Sequence, residues 1–179
     1  MKKSAKFIIA IAIIVVIAIA FFVIKDGSDK SAGISINSVA DLTKLIDDIY
    51  AGVTVEMPSV MSQEIDVSDT DTVKAFTGLD SNRDLEYVVS SEPMMSSQAY
   101  SLVLVKVKSG VDVNKIAKEM NENIDARKWI CVTAEKVYTT SSGEVICLVM
   151  SNEETAENVY NSFKKIAGNV GQEYERDGE

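Results

Sequence analysis

The sequence predicts an α+β fold: a mainly antiparallel four-stranded sheet from two β-β-α units with helices on one face, preceded by an N-terminal helix and a transmembrane helix. Three observations predict it. A long apolar run opens the chain, two strand pairs each lead into a segment of helical period, and the second such unit repeats the pattern of the first. The length, 179 residues, has room for one ordinary domain and an appendage.

Lys2, Lys3 and Lys6 precede residues 7–24, which begin at Phe7, end at Ile24 and contain no charge, polar group, glycine or proline. As a helix this run would span about 27 Å, close to the hydrocarbon core of a bilayer. A secretory signal peptide has a shorter apolar region and a small-residue cleavage site. Ala18-Ile19-Ala20 fits such a site, but Phe21, Phe22, Val23 and Ile24 follow it and would leave an apolar new terminus. Residues 1–24 are therefore read as an uncleaved signal anchor. The leading lysines orient it with the domain outside the cytoplasmic membrane. The expectation is a single-pass cell-membrane protein whose first partner is the lipid bilayer. Residues 25–37, rich in Ser, Gly, Asp and Lys, read as a flexible linker.

The domain is expected over residues 38–168. Ser38 stands three before Asp41 in a capping pattern, and Val39, Leu42, Leu45, Ile46, Ile49 and Tyr50 share one helical face that Gly52 ends. Pro58 breaks the mixed stretch that follows, and a short helix is expected over residues 71–76 with Gly78 as its stop. Residues 85–90 and 99–108 read as strands, the latter alternating towards its end. Asp112 caps a helix whose apolar face is Val113, Ile116, Ala117, Met120 and Ile124. Residues 129–138 and 144–150 read as a hairpin around "TTSSG", and Ser151 as the cap of a last helix bearing Val159, Tyr160 and Phe163. At an offset of 43 residues, Leu102 to Val105 fall on Val145 to Leu148, and Val113, Ile116 and Met120 on Ala156, Val159 and Phe163. Residues 169–179, polar and acidic, read as a disordered tail.

Charge and composition exclude several functions. The first 24 residues hold three lysines and no acid, which leaves 15 basic against 27 acidic side chains for the rest. A chain this acidic repels phosphate backbones, so nucleic acid is not expected as a partner. There is no histidine, hence no Ser-His-Asp or Cys-His catalysis and no HExxH zinc site. Cys131 and Cys147 lack CxxC spacing, and across the expected hairpin they fall roughly 13 Å apart, beyond disulfide reach. They read as small core residues rather than as a redox or zinc pair. Asp80, Asn82 and Asp84 have the start of a calcium-loop spacing, but Leu85 stands where glycine is needed. Ser162 and Lys165 match S-x-x-K by chance, with no companion motif. No metal and no cofactor is expected.

Met57, Met61, Met94 and Met95 fall in expected loops and read as gap fillers or as an adaptable contact surface rather than a copper site. The long connection "SSEPMMSSQAYS" makes Pro93, Met94, Met95 and Tyr100 the expected contact loop.

The segments "RKWICV", "SSGEVICLVM" and "SSEPMMSSQAYSLVLVKVK", with the apolar N-terminus, resemble a family of extracytoplasmic bacterial proteins catalogued as domain of unknown function 4358. The resemblance covers residues 38–167 and implies location and fold; it brings no functional residue. Many members look like lipoproteins, whereas this chain has no acylatable cysteine near its apolar run.

The expected function is a membrane-anchored extracytoplasmic binding or interaction module of the cell envelope, not an enzyme, with a protein or small-ligand partner there. The alternatives are a carboxylate-dependent envelope hydrolase using a pair among Glu56, Glu64, Asp66 and Asp84, or a solute-sensing accessory domain.

Overall fold

The computed structural model describes residues 33–178. Its architecture follows from two apolar strands. "SLVLVKV" in β3 (Ser101–Val107) and "VICLVMS" in β5 (Val145–Ser151) are buried at every position. Such near-continuous apolar runs need cover on both faces of a sheet.

In chain order the elements are α1 (Val39–Ala51), β1 (Val60–Ile65), α2 (Thr70–Thr77), β2 (Leu85–Pro93), β3, α3 (Val113–Asn123), β4 (Lys136–Ser142), β5, α4 (Glu153–Ala167) and β6 (Tyr174–Asp177). All six strands join one antiparallel sheet in the order β1-β2-β3-β5-β4-β6. α1 and α4 cover one face, where Leu42, Ile46 and Ile49 meet Leu102, Leu104, Cys147, Val159 and Phe163. α2 and α3 cover the other, where Val73, Ile116 and Met120 meet Val88, Val103, Ile146 and Leu148.

The expected four-stranded sheet with helices on one face is thus corrected to six strands between two helical layers. The 43-residue repeat holds for β3 and β5, whose matched residues face the same way, but α3 and α4 lie on opposite faces. It is a repeat of hydrophobic pattern, not of geometry. β1 lies in the stretch read as irregular, and β6 lies within the segment read as a disordered tail.

Local signals set the boundaries. Ser38 Oγ accepts from the Asp41 amide, Asp69 caps α2 through the amides of Asp71 and Thr72, and Asp112 caps α3 through Lys115. The last helix is capped by Asn152, not Ser151, which is still the end of β5. Gly78 ends α2 at φ +76°, a left-handed conformation that costs glycine nothing. The second hairpin closes on Gly143 (φ +59°) and Glu144 between Ser142 and Val145. Strand β4 therefore begins at Lys136, seven residues later than expected, and Trp129 to Glu135 form an irregular segment.

Among the described residues no helix is long and apolar enough to cross a membrane; the longest has 15 residues. The expected span, from Phe7 to Ile24, lies outside the described residues. The reading of a bilayer-anchored, single-pass module of the cell envelope is corrected accordingly and is not carried forward.

Candidate functional site

The two edges of the sheet differ. β6, "YERD", is four residues long, and its carboxylates Glu175 and Asp177 both meet Lys136 Nζ at 2.8 Å. Short, charged edges of this kind resist further strand pairing. β1, "VMSQEI", is six residues long with one charge, Glu64, and neither lysine nor proline within it.

Its register with β2 shows which of its amides are free. Val60 pairs with Pro93, which has no N–H, so this pair cannot exchange two hydrogen bonds. By alternation the exchanging pairs are Met61 with Glu92, Gln63 with Ser90 and Ile65 with Val88. The backbone N–H and C=O groups of Val60, Ser62 and Glu64 then point away from the sheet. No group of the described residues bonds to them.

The surroundings of that edge are apolar at one end. Five large hydrophobic side chains are exposed among the described residues, and four of them belong here: Met61, Met94, Met95 and Ile130. Met94 and Met95 follow Pro93 directly, and the Ile130 amide donates to Ser96 O in the same connection at 3.0 Å. Beneath them Lys128 and Glu92 form an ion pair, both about four-fifths buried, and Ser101 Oγ donates to Glu92 Oε1 at 2.6 Å. The Lys128 ammonium also lies 4.8 Å from the centre of the Phe76 ring and 5.5 Å from that of Trp129. These contacts fix the loop that carries Ile130 against the sheet.

Past Val60 the chain turns into a cleft of about 380 Å³ lined by Glu56, Met57, Gln98, Tyr100, Asn152 and Thr155 among others. Apart from Glu56 its polar groups are amides and hydroxyls, suited to hydrogen bonding rather than to proton transfer. Tyr100 is 1 % exposed, and its hydroxyl donates to Tyr50 Oη at 3.0 Å. Burial raises both phenols, Tyr100 well above the usual range.

The expected contact loop is therefore divided. Met94 and Met95 are exposed, Pro93 ends β2 half-buried, and Tyr100 forms the floor of the cleft. Of the four carboxylates weighed for a hydrolase, Glu56 lines the cleft while Glu64 sits on β1. Asp66 accepts from Ser68 and Asp84 lies beside Arg83, so the structure does not bring the four together in one site. Asp80 meets Lys74 and Asn82 donates to Val67 O, so the calcium-like triplet is spent on local contacts. Among the described residues no cluster of three metal-ligating His, Cys, Asp or Glu side chains occurs. Cys131 is exposed in the loop and Cys147 buried in β5, both free. Ser162 Oγ donates to Ile49 O at 2.6 Å, tying α4 to α1.

Local sequence marks β1 only faintly as a strand: Val60, Ser62 and Glu64 alternate with Met61, Gln63 and Ile65 without an apolar face, because neither face is fully buried. Compared with family models, curated proteins and solved structures, the chain matches none.

Proposed function

We propose that the protein is a recognition domain, not an enzyme, and that it binds an extended segment of a partner protein by strand addition at β1. In this mode the main chain of the edge supplies affinity and the neighbouring side chains supply selectivity. The observation that carries the reading is the coincidence, at one sheet edge, of unpaired outward amides with four of the exposed large hydrophobics. Methionine suits the role, since its unbranched, polarisable side chain repacks around varied partners. The absence of histidine, and a cleft lined by Glu56 without Glu64, Asp66 or Asp84, support binding over catalysis.

The test is a Ser62→Pro variant. Proline there removes an outward N–H while leaving the inward ladder to β2 intact, a position edge strands tolerate. Peptides selected from an array on the full chain should lose at least tenfold in affinity for the variant, with its circular dichroism melt unchanged. Equal binding to both proteins would refute strand addition.

A further inference from the structure

Resting on the strand-addition reading, we infer that the segment pairing with β1 carries basic residues in its N-terminal half and apolar residues in its C-terminal half. The charge of the edge points to this. Between Val53 and Val73 the chain has five acids, Glu56, Glu64, Asp66, Asp69 and Asp71, and no base. Four of the five lie at or just beyond the C-terminal end of β1, and none makes an ion pair among the described residues. Asp66 and Asp69 accept hydrogen bonds from Ser68 and Thr72 that favour their ionised forms, so this end stays negative at neutral pH. The opposite end holds Met61, Met94, Met95 and Ile130.

Direction then follows from topology. Every strand pair in this sheet is antiparallel, the slightly more stable arrangement per residue. A strand added to β1 in the same sense starts beside Ile65, at the acidic end, and finishes beside Val60, at the methionine end. Lysine or arginine early in the segment faces Glu64 on one side of the sheet and the acidic turn and helix start from Asp66 to Asp71 on the other; apolar side chains late in it cover Met61 and its neighbours. Glu56 lies in the cleft just beyond, where it opposes a terminal carboxylate. A second copy of this chain fits poorly, because antiparallel β1–β1 pairing centred on Ser62 sets Val60 against Glu64 and offers the acids no counter-charge.

Three end-blocked nine-residue peptides test the inference by fluorescence anisotropy on the full chain: one basic-then-apolar, one of reversed order, and one with glutamine in place of each basic residue. The first should bind about tenfold tighter than either other, and a Glu64→Gln/Asp71→Asn variant should weaken it roughly three- to tenfold without affecting the glutamine peptide. The fold-changes correspond to two exposed ion pairs of ~0.2–1 kcal/mol each. Equal binding of the reversed or the glutamine peptide, with Ser62→Pro still abolishing it, overturns the polarity inference and leaves strand addition standing. Failure of all three to bind, indifference to Ser62→Pro, or concentration-dependent dimerisation that Ser62→Pro abolishes, overturns both.

Discussion

Lys106 gives the sharpest test of how the central strands are held. It is the one charge within the otherwise neutral strand β3, and its side chain is only 9 % exposed. A register shift between Leu85 and Tyr87 places Glu86 beside it, and the β4–β5 turn delivers Glu144. The ammonium donates to Glu86 at 3.0 Å, to Glu144 at 2.8 Å and to Val107 O at 3.0 Å, which uses all three protons. Desolvation alone would lower its pKa; the bonds to Glu144 and Glu86 outweigh it and raise the pKa above the usual value. In a Lys106→Met variant the two carboxylates, each about 40 % exposed, regain water. The cost therefore falls below the ~3–5 kcal/mol of a wholly buried pair and above the ~0–1 kcal/mol of a surface pair. About 2 kcal/mol is expected, or a melting point lower by roughly 4–8 °C in a chain of this size. The assay is thermal and urea unfolding of the full chain by circular dichroism across pH. The bond from Lys106, then one from Ser109, holds the Glu144 carboxyl below its usual value, so its contribution is full above the unfolded pKa and fades as pH falls through the folded one. The gap between native and variant chains should therefore narrow from about pH 6 to about pH 3. A variant as stable as the native chain at neutral pH, or a gap constant with pH, would mean that Lys106 is not held by the carboxylates of Glu86 and Glu144.

Two further outcomes follow from the layers. Phe163→Ala on α4 and Met120→Ala on α3 each empty a fully buried site, on opposite faces of the sheet, and should cost about 3–5 and 2–5 kcal/mol respectively in urea unfolding. A small cost for either would mean that only one face of the sheet bears a core. Iodoacetamide should label Cys131 in the folded chain and spare Cys147, whose thiol is wholly buried and raised by desolvation, until unfolding exposes it. Mass spectrometry showing equal labelling of both would contradict the burial of β5.

Helices α1, α3 and α4 are legible because their apolar period is local, as are the caps Ser38 and Asp112; the cap of α4 falls one residue later than expected, at Asn152, because Ser151 still pairs in β5. Legible too are β3 and β5, whose runs of branched residues tolerate little else. Their continuity also carried the signal of two-sided burial; the alternation in "VLVKVK" obscured it, because Lys106 looks like a solvent position and is instead buried between two carboxylates. Strand β4 was displaced for a related reason. "KVYTTSS" looks polar, yet Asn121 donates to Thr139 Oγ1, Thr140 donates to Gln172 O and Ser142 to Asn169 O. Those partners lie 18 to 32 residues away, and only the tertiary structure brings them in. β6 depends likewise on its pairing with β4, not on the propensity of "YERD". At the candidate site Met94 and Met95 are legible as exposed loop residues, while the hydroxyl of the buried Tyr100 is met by Tyr50, 50 residues away in sequence. The outward amides of β1 depend on the partner strand's Pro93 and could not be read from β1 itself.

The most direct test of strand addition is amide hydrogen exchange by NMR on the full chain, with and without the basic-then-apolar peptide. In the free chain Met61, Gln63 and Ile65 should exchange slowly while Val60, Ser62 and Glu64 exchange fast, and saturation with peptide should slow the second set. Protection of Val60, Ser62 and Glu64 before any peptide is added, or continued fast exchange at saturation, would contradict strand addition.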